Sequence, residues 1–194
     1  MRGRRIIAAL SAALLLAACG PLLIRNEATR GYVPLRNASL ELHRNVVVPP
    51  ESARVFFQQG VVQPGINEYR PHCELTVRSL VDRPQTIYAD RFIVERVSAD
   101  IVHVVTSGDV VVALYAEFQL TSGGGGGGDG GGDGGGDGEG RQMKIYTLYL
   151  HSDRQPDVLS LVCGGAFNLP ALALRPSLQD IETALGNYAT LELH

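Results

Sequence analysis

The run His72-Cys73-Glu74-Leu75-Thr76-Val77-Arg78 decides the fold class. Cys73, Leu75 and Val77 alternate with polar neighbours at every second position. Successive side chains of a strand point to opposite faces. The period therefore predicts a half-buried β-strand and does not suit a helix, whose apolar positions recur every three to four residues. Outward from this run the alternation repeats. Leu40 and Leu42 alternate with Glu41 and His43, and Ala53, Val55 and Phe57 with Arg54, Phe56 and Gln58. Phe92 and Val94 alternate with Ile93 and Glu95. Val110, Val112, Leu114, Ala116, Phe118 and Leu120 share one face of a long predicted strand. Tyr146, Leu148 and Leu150, then Leu159, Leu161 and Cys163, complete the series. Turn signals separate the runs at Pro49-Pro50, Pro64-Gly65, Asp82-Arg83-Pro84, Ser107-Gly108-Asp109 and Pro156. Short strands at such spacing predict a mainly β chain, an antiparallel sandwich or barrel-like domain.

One α-helix is expected near the C-terminus. Ser177 is placed to cap it, with Asp180 three residues on to complete a capping box. Leu178, Ile181 and Leu185 fall on one face, and Gly186 is suited to end the helix. That apolar stripe suits packing on the sheet; a partner-binding face is the alternative.

The chain has 194 residues and is 45% apolar, which allows one domain with a real core. Its net charge is −3. Loss of residues 1–18, with Arg2, Arg4 and Arg5, would leave about −6. No basic footprint for nucleic acid remains. Lys144 stands alone against scattered arginines, a bias expected of base composition more than of anion recognition.

At the N-terminus, Arg2, Arg4 and Arg5 precede an apolar run from Ile6 to Leu16, interrupted only by Ser11. A basic start, an apolar run and small residues are the layout of an export signal. The run is too short for a spanning helix, which needs about 20 apolar residues. Directly after it, Leu16-Ala17-Ala18-Cys19 resembles the lipobox of bacterial lipoproteins. The resemblance implies export, cleavage before Cys19, and acylation of Cys19 by diacylglyceryl and fatty acyl groups such as palmitate. Two or more chains hold a domain on a bilayer where one gives marginal binding. Gly20 in place of an aspartate favours, by the same resemblance, the outer over the inner membrane, facing the periplasm. Residues 1–18 are then the signal, 19–36 a lipid-anchored tether broken by Pro21, Asn26, Gly31 and Pro34, with an apolar patch at Leu22-Leu23-Ile24 suited to rest on the membrane surface or on the domain, and 37–194 a single β-rich domain.

Cys73 and Cys163 remain after lipidation, each on the apolar face of its predicted strand. In an oxidising compartment a disulfide is expected; two buried thiols are the alternative. Between the predicted strands, residues 122–141 hold Gly123 to Gly128 and then Asp129, Asp133 and Asp137 four apart. Calcium loops place acids two apart, so a disordered loop is expected and no metal site. No nucleophile elbow, zinc motif, P-loop or dinucleotide fingerprint is present. The histidines are dispersed, and Glu74, Asp90, Glu95 and Glu117 are expected mostly to face solvent. No catalytic residue or cofactor is assigned.

The segments Tyr69-Arg70-Pro71-His72-Cys73-Glu74-Leu75, Asp90-Arg91-Phe92 and Leu159-Ser160-Leu161-Val162-Cys163 together resemble a group of uncharacterised Gram-negative lipoproteins, over about residues 50–190 without the glycine segment. The resemblance implies no activity. Two functions stay open: a non-catalytic interaction or envelope-assembly module with an envelope protein partner, and a carrier of a small ligand or lipid in an apolar cavity lined by Leu114, Phe118 and Leu148.

Overall fold

Alternating sequence becomes alternating burial. On β5 (Arg54–Gln58) and β7 (His72–Val77), Val55, Phe57, Cys73 and Leu75 are buried while Phe56 and Glu74 are only partly covered. The computed structural model describes residues 22–35, 37–107, 110–115 and 140–194. Before β5 come β1 (Leu23–Asn26), β2 (Gly31–Pro34), β3 (Ser39–Leu42) and β4 (Val46–Val48). After it come β6 (Val61–Gln63), then β7, β8 (Gln85–Ile87), β9 (Asp90–Ser107) and β10 (Val110–Tyr115). The chain continues through β11 (Gln142–His151), β12 (Val158–Gly164), α1 (Leu178–Leu185) and β13 (Ala189–Glu192).

The main sheet is antiparallel and runs β13-β3-β9-β11-β12-β7-β5-β6, with β10 paired to β9. It curls into a half-barrel, so of the two expected architectures the barrel-like one describes the chain. Registers align two apolar rows across its inner face. One is Val55-Leu75-Leu161-Leu148-Val97 and the other Phe57-Cys73-Cys163-Tyr146-Ala99. Helix α1 closes over them, burying Leu178, Ile181, Ala184 and Leu185. Two small sheets, β1-β2 and β4-β8, add Ile24, Val46, Val48 and Ile87 to the same core.

The helix forms as the sequence predicts. The Ser177 hydroxyl accepts from the Asp180 N–H, and the Asp180 carboxylate accepts from the Ser177 N–H. Its end depends on a close approach. Gly186 has φ 54°, and a Cβ there would fall 2.4 Å from Gly60 Cα in the β5–β6 turn. The Gly60 N–H in turn donates to the Ala184 carbonyl at 3.1 Å. Two glycines thus lock the helix to the strand turn beneath it.

Three local expectations are corrected. Residues 19–36 were expected as a tether, yet residues 22–35 include the β1-β2 hairpin, which is docked on the domain. Ile24 is fully buried, the Tyr146 hydroxyl donates to the Leu23 carbonyl at 3.0 Å, and the Gln179 amide donates through Nε2 to Asn26 Oδ1 and accepts at Oε1 from the Glu27 N–H. Leu159 was expected inward with Leu161; a register shift between Val158 and Ser160 gives its inward place to Val158. Asp90 was placed among mainly solvent-facing acids, yet it is buried. Its carboxylate accepts from Ser152 Oγ at 2.7 Å, from Gln155 Nε2 and from Arg154. Buried charge persists when it is paired and hydrogen-bonded in this way.

Candidate functional site

Cys73 and Cys163 lie opposite each other on β7 and β12, with Cα atoms 4.1 Å apart, and form a disulfide on the inner face. The bond spans 90 residues of chain. Both sulfurs sit within the core cluster between Phe57 and Tyr146, so their role is to staple the sheet from within. Cys19, the expected lipidation site, lies outside the described residues, as do residues 1–18, Phe118, Glu117 and all of 122–141 but Gly140 and Arg141.

Leu148, expected to line a carrier cavity, is fully buried in the packed core. The hollows lie elsewhere. One, of about 240 Å³, is on the outer face. Phe56, Val102, Met143, Ile145, Val162 and Phe167 form its apolar wall, and His72 and Glu74 its polar one. Gly164 makes its floor, where a Cβ would meet Met143 Sδ at 2.7 Å. His72 is tied by Nδ1 to the Arg70 carbonyl at 3.0 Å, and Glu74 pairs with Arg54 at 3.3 Å. Among the described residues, no three His, Cys, Asp or Glu side chains are grouped to hold a metal ion.

The second hollow, about 270 Å³, opens at the end of the half-barrel beside the β1-β2 hairpin. Arg25 and Tyr32 reach it from the hairpin, Lys144 and Tyr146 from β11, and Arg175 from the segment leading into α1. Three cations and two phenols therefore line one cleft. Arg175 lies 5.7 Å from the centre of the Tyr146 ring. Its Nε is buried and finds no hydrogen-bond partner. Arg25 pairs with Glu27 at 2.9 Å at the exposed edge. Burial raises the Tyr146 phenol above its ordinary value of 10.0; the nearby Arg175 charge opposes the rise and Tyr32 adds to it. The sequence could not show this grouping, because its members are 119 and 31 residues apart along the chain. The lone lysine was the one signal available.

No protein-family model matches the chain, and neither curated proteins nor solved structures give a match.

Among the described residues no helix is long and apolar enough to cross a membrane.

Proposed function

We propose that the chain is the precursor of a bacterial lipoprotein, anchored through acylated Cys19 to a membrane facing the periplasm, the outer membrane before the inner. The mature domain then acts as a non-catalytic interaction or envelope-assembly module. The observation that carries the reading is Leu16-Ala17-Ala18-Cys19 placed directly after an apolar export run. The Cys73–Cys163 disulfide adds modest support, since such bonds persist in oxidising compartments.

The docked hairpin sharpens what anchoring would do. Leu22, already packed against the core, is three residues beyond Cys19. Extended chain spans at most about 3.6 Å per residue, so the domain would ride within roughly 11 Å of its acyl anchor. Confinement at that height raises the encounter rate with other envelope proteins without any new contact. The unclosed sheet ends at β13 and β6, and β10 pairs only with β9 among the described residues. Such edges are the places where a partner strand adds. The filled interior gives little room to the alternative, carriage of a lipid or small ligand between layers.

Mass spectrometry of the protein from its native host tests the reading. The expected product starts at residue 19 and carries acyl mass, and Cys19→Ser abolishes both that mass and membrane fractionation. A product that keeps Met1, or starts at residue 19 without acyl mass, overturns it. Crosslinking in intact envelopes, wild type beside Cys19→Ser, then identifies the partner.

A further inference from the structure

We propose that the cleft at the open end of the half-barrel is an anion site that takes a phosphate or phosphate-ester group on Arg25, Lys144 and Arg175. Three cationic side chains line one hollow, and Arg25 alone among them has an ion-pair partner among the described residues, the exposed Glu27. No carboxylate contributes to the lining. Lys144 and Arg175, like charges gathered without a counter-charge in the lining, raise the potential of a concave site and favour an anion in it.

The second observation is an unmet donor. Arg175 Nε is buried without a partner. Leaving such a group unsatisfied costs on the order of 1–3 kcal/mol, and it marks a guanidinium that no acceptor among the described residues holds, so that its terminal nitrogens remain to meet an anion in the cleft. Guanidinium groups bind phosphate through parallel N–H donors, and an ammonium adds a point charge. Tyr146 contributes a wall and not a donor, since its hydroxyl is committed to the Leu23 carbonyl. Exposed Tyr32 and Leu174 form an apolar rim. A volume of about 270 Å³ exceeds the space of a bare phosphate and leaves room for an ester substituent.

Such an anion has two sources, a soluble phosphate compound or the headgroup of an acidic lipid. The site stands on the cleft's own geometry and does not depend on acylation of Cys19. A single lysine in the sequence provides the readout, because labelling lysine at Cε gives one signal, that of Lys144. The full-length chain in non-ionic micelles is titrated with inorganic phosphate from the aqueous phase, and separately with phosphatidic acid doped into the micelle. Chloride at equal ionic strength is the control.

A saturable shift of the Lys144 signal is expected with a phosphate probe and not with chloride. Arg175→Gln should weaken the response at least tenfold, while Arg83→Gln, outside the cleft, leaves it unchanged. Saturation by aqueous phosphate identifies the soluble source, and saturation by doped phosphatidic acid alone identifies the lipid headgroup. Absence of a saturable shift with both probes overturns the site. So does an undiminished response in Arg175→Gln with the disulfide and circular dichroism intact.

Discussion

The two faces of the same sheet are built from adjacent residues and differ in almost every respect. Inward, the rows through Val55, Leu75, Leu161 and Leu148 and through Phe57, Cys73, Cys163 and Tyr146 are apolar from strand to strand. Outward, one residue over, the aligned positions are Arg54, Thr76, Ser160, Tyr149 and Arg96, then Phe56, Glu74, Val162, Thr147 and Ser98. Several of these meet as cross-strand polar pairs. Thr76 bonds Ser160 at 2.7 Å, Arg54 pairs with Glu74, and the Arg96 guanidinium stacks 3.6 Å above the Tyr149 ring. The inner face holds the fold by excluding water. Along these rows the outer face contributes surface pairs, each worth about 0.2–1 kcal/mol, and its apolar burial is confined to the smaller cluster of Val102, Met143, Ile145 and Phe167. Stability should therefore be distributed unequally between neighbours in sequence.

The sharpest break of that asymmetry is Phe92→Ala. Phe92 is 0% exposed, and its loss should cost about 3–5 kcal/mol in urea denaturation. Next is the staple. Cys73→Ser with Cys163→Ser should lower stability by about 2–5 kcal/mol, measured against the oxidised wild type under non-reducing conditions. Asp90→Asn keeps the shape of the buried network but removes the charge facing Arg154, and should cost about 1–3 kcal/mol.

Tyr146→Phe is smaller and carries a pH signature. Removing the bond to the Leu23 carbonyl should cost about 1 kcal/mol at neutral pH. The folded-state phenol titrates above its unfolded value near 10.0, so its stabilising proton is fully held below that pH. Stability should fall as pH rises from about 10 through the raised value, and the variant should lose that part of the alkaline decline. The smallest effect is expected for Ile93→Ala, next to Phe92 but on the outer face and 50% exposed. It should stay within about 0.5 kcal/mol. If Phe92→Ala and Ile93→Ala proved equal, the division between the two faces would fail.

What was legible in the sequence follows from period and length. Strands such as β7 and β11 run long enough for alternation to show, and Cys73 and Cys163 lie on the apolar side of their runs, so the disulfide could be expected. The capping box needs four residues and was equally visible. Strands of three residues, as in β4, β6 and β8, are too short to display a period. The β1-β2 hairpin hid behind Gly31 and Pro34 because its docking depends on Tyr146 and Gln179, more than a hundred residues away. Gln58 looked outward by alternation, yet its amide is buried and bonds Asn67 and Gln63, organising the loop after β6. The cationic cleft was illegible for a similar reason: its charges come from three distant segments, and no spacing rule joins them.

The placement of the last two elements has a consequence for biosynthesis. Helix α1 and β13 lie at residues 178–192, yet Ile181 and Leu185 fill the middle of the interior and Leu191 pairs with Leu40 near the other end. A nascent chain lacking those residues leaves the part of the inner face beneath α1 uncovered. Synthesis must therefore pass residue 192 before this part of the interior can be sealed.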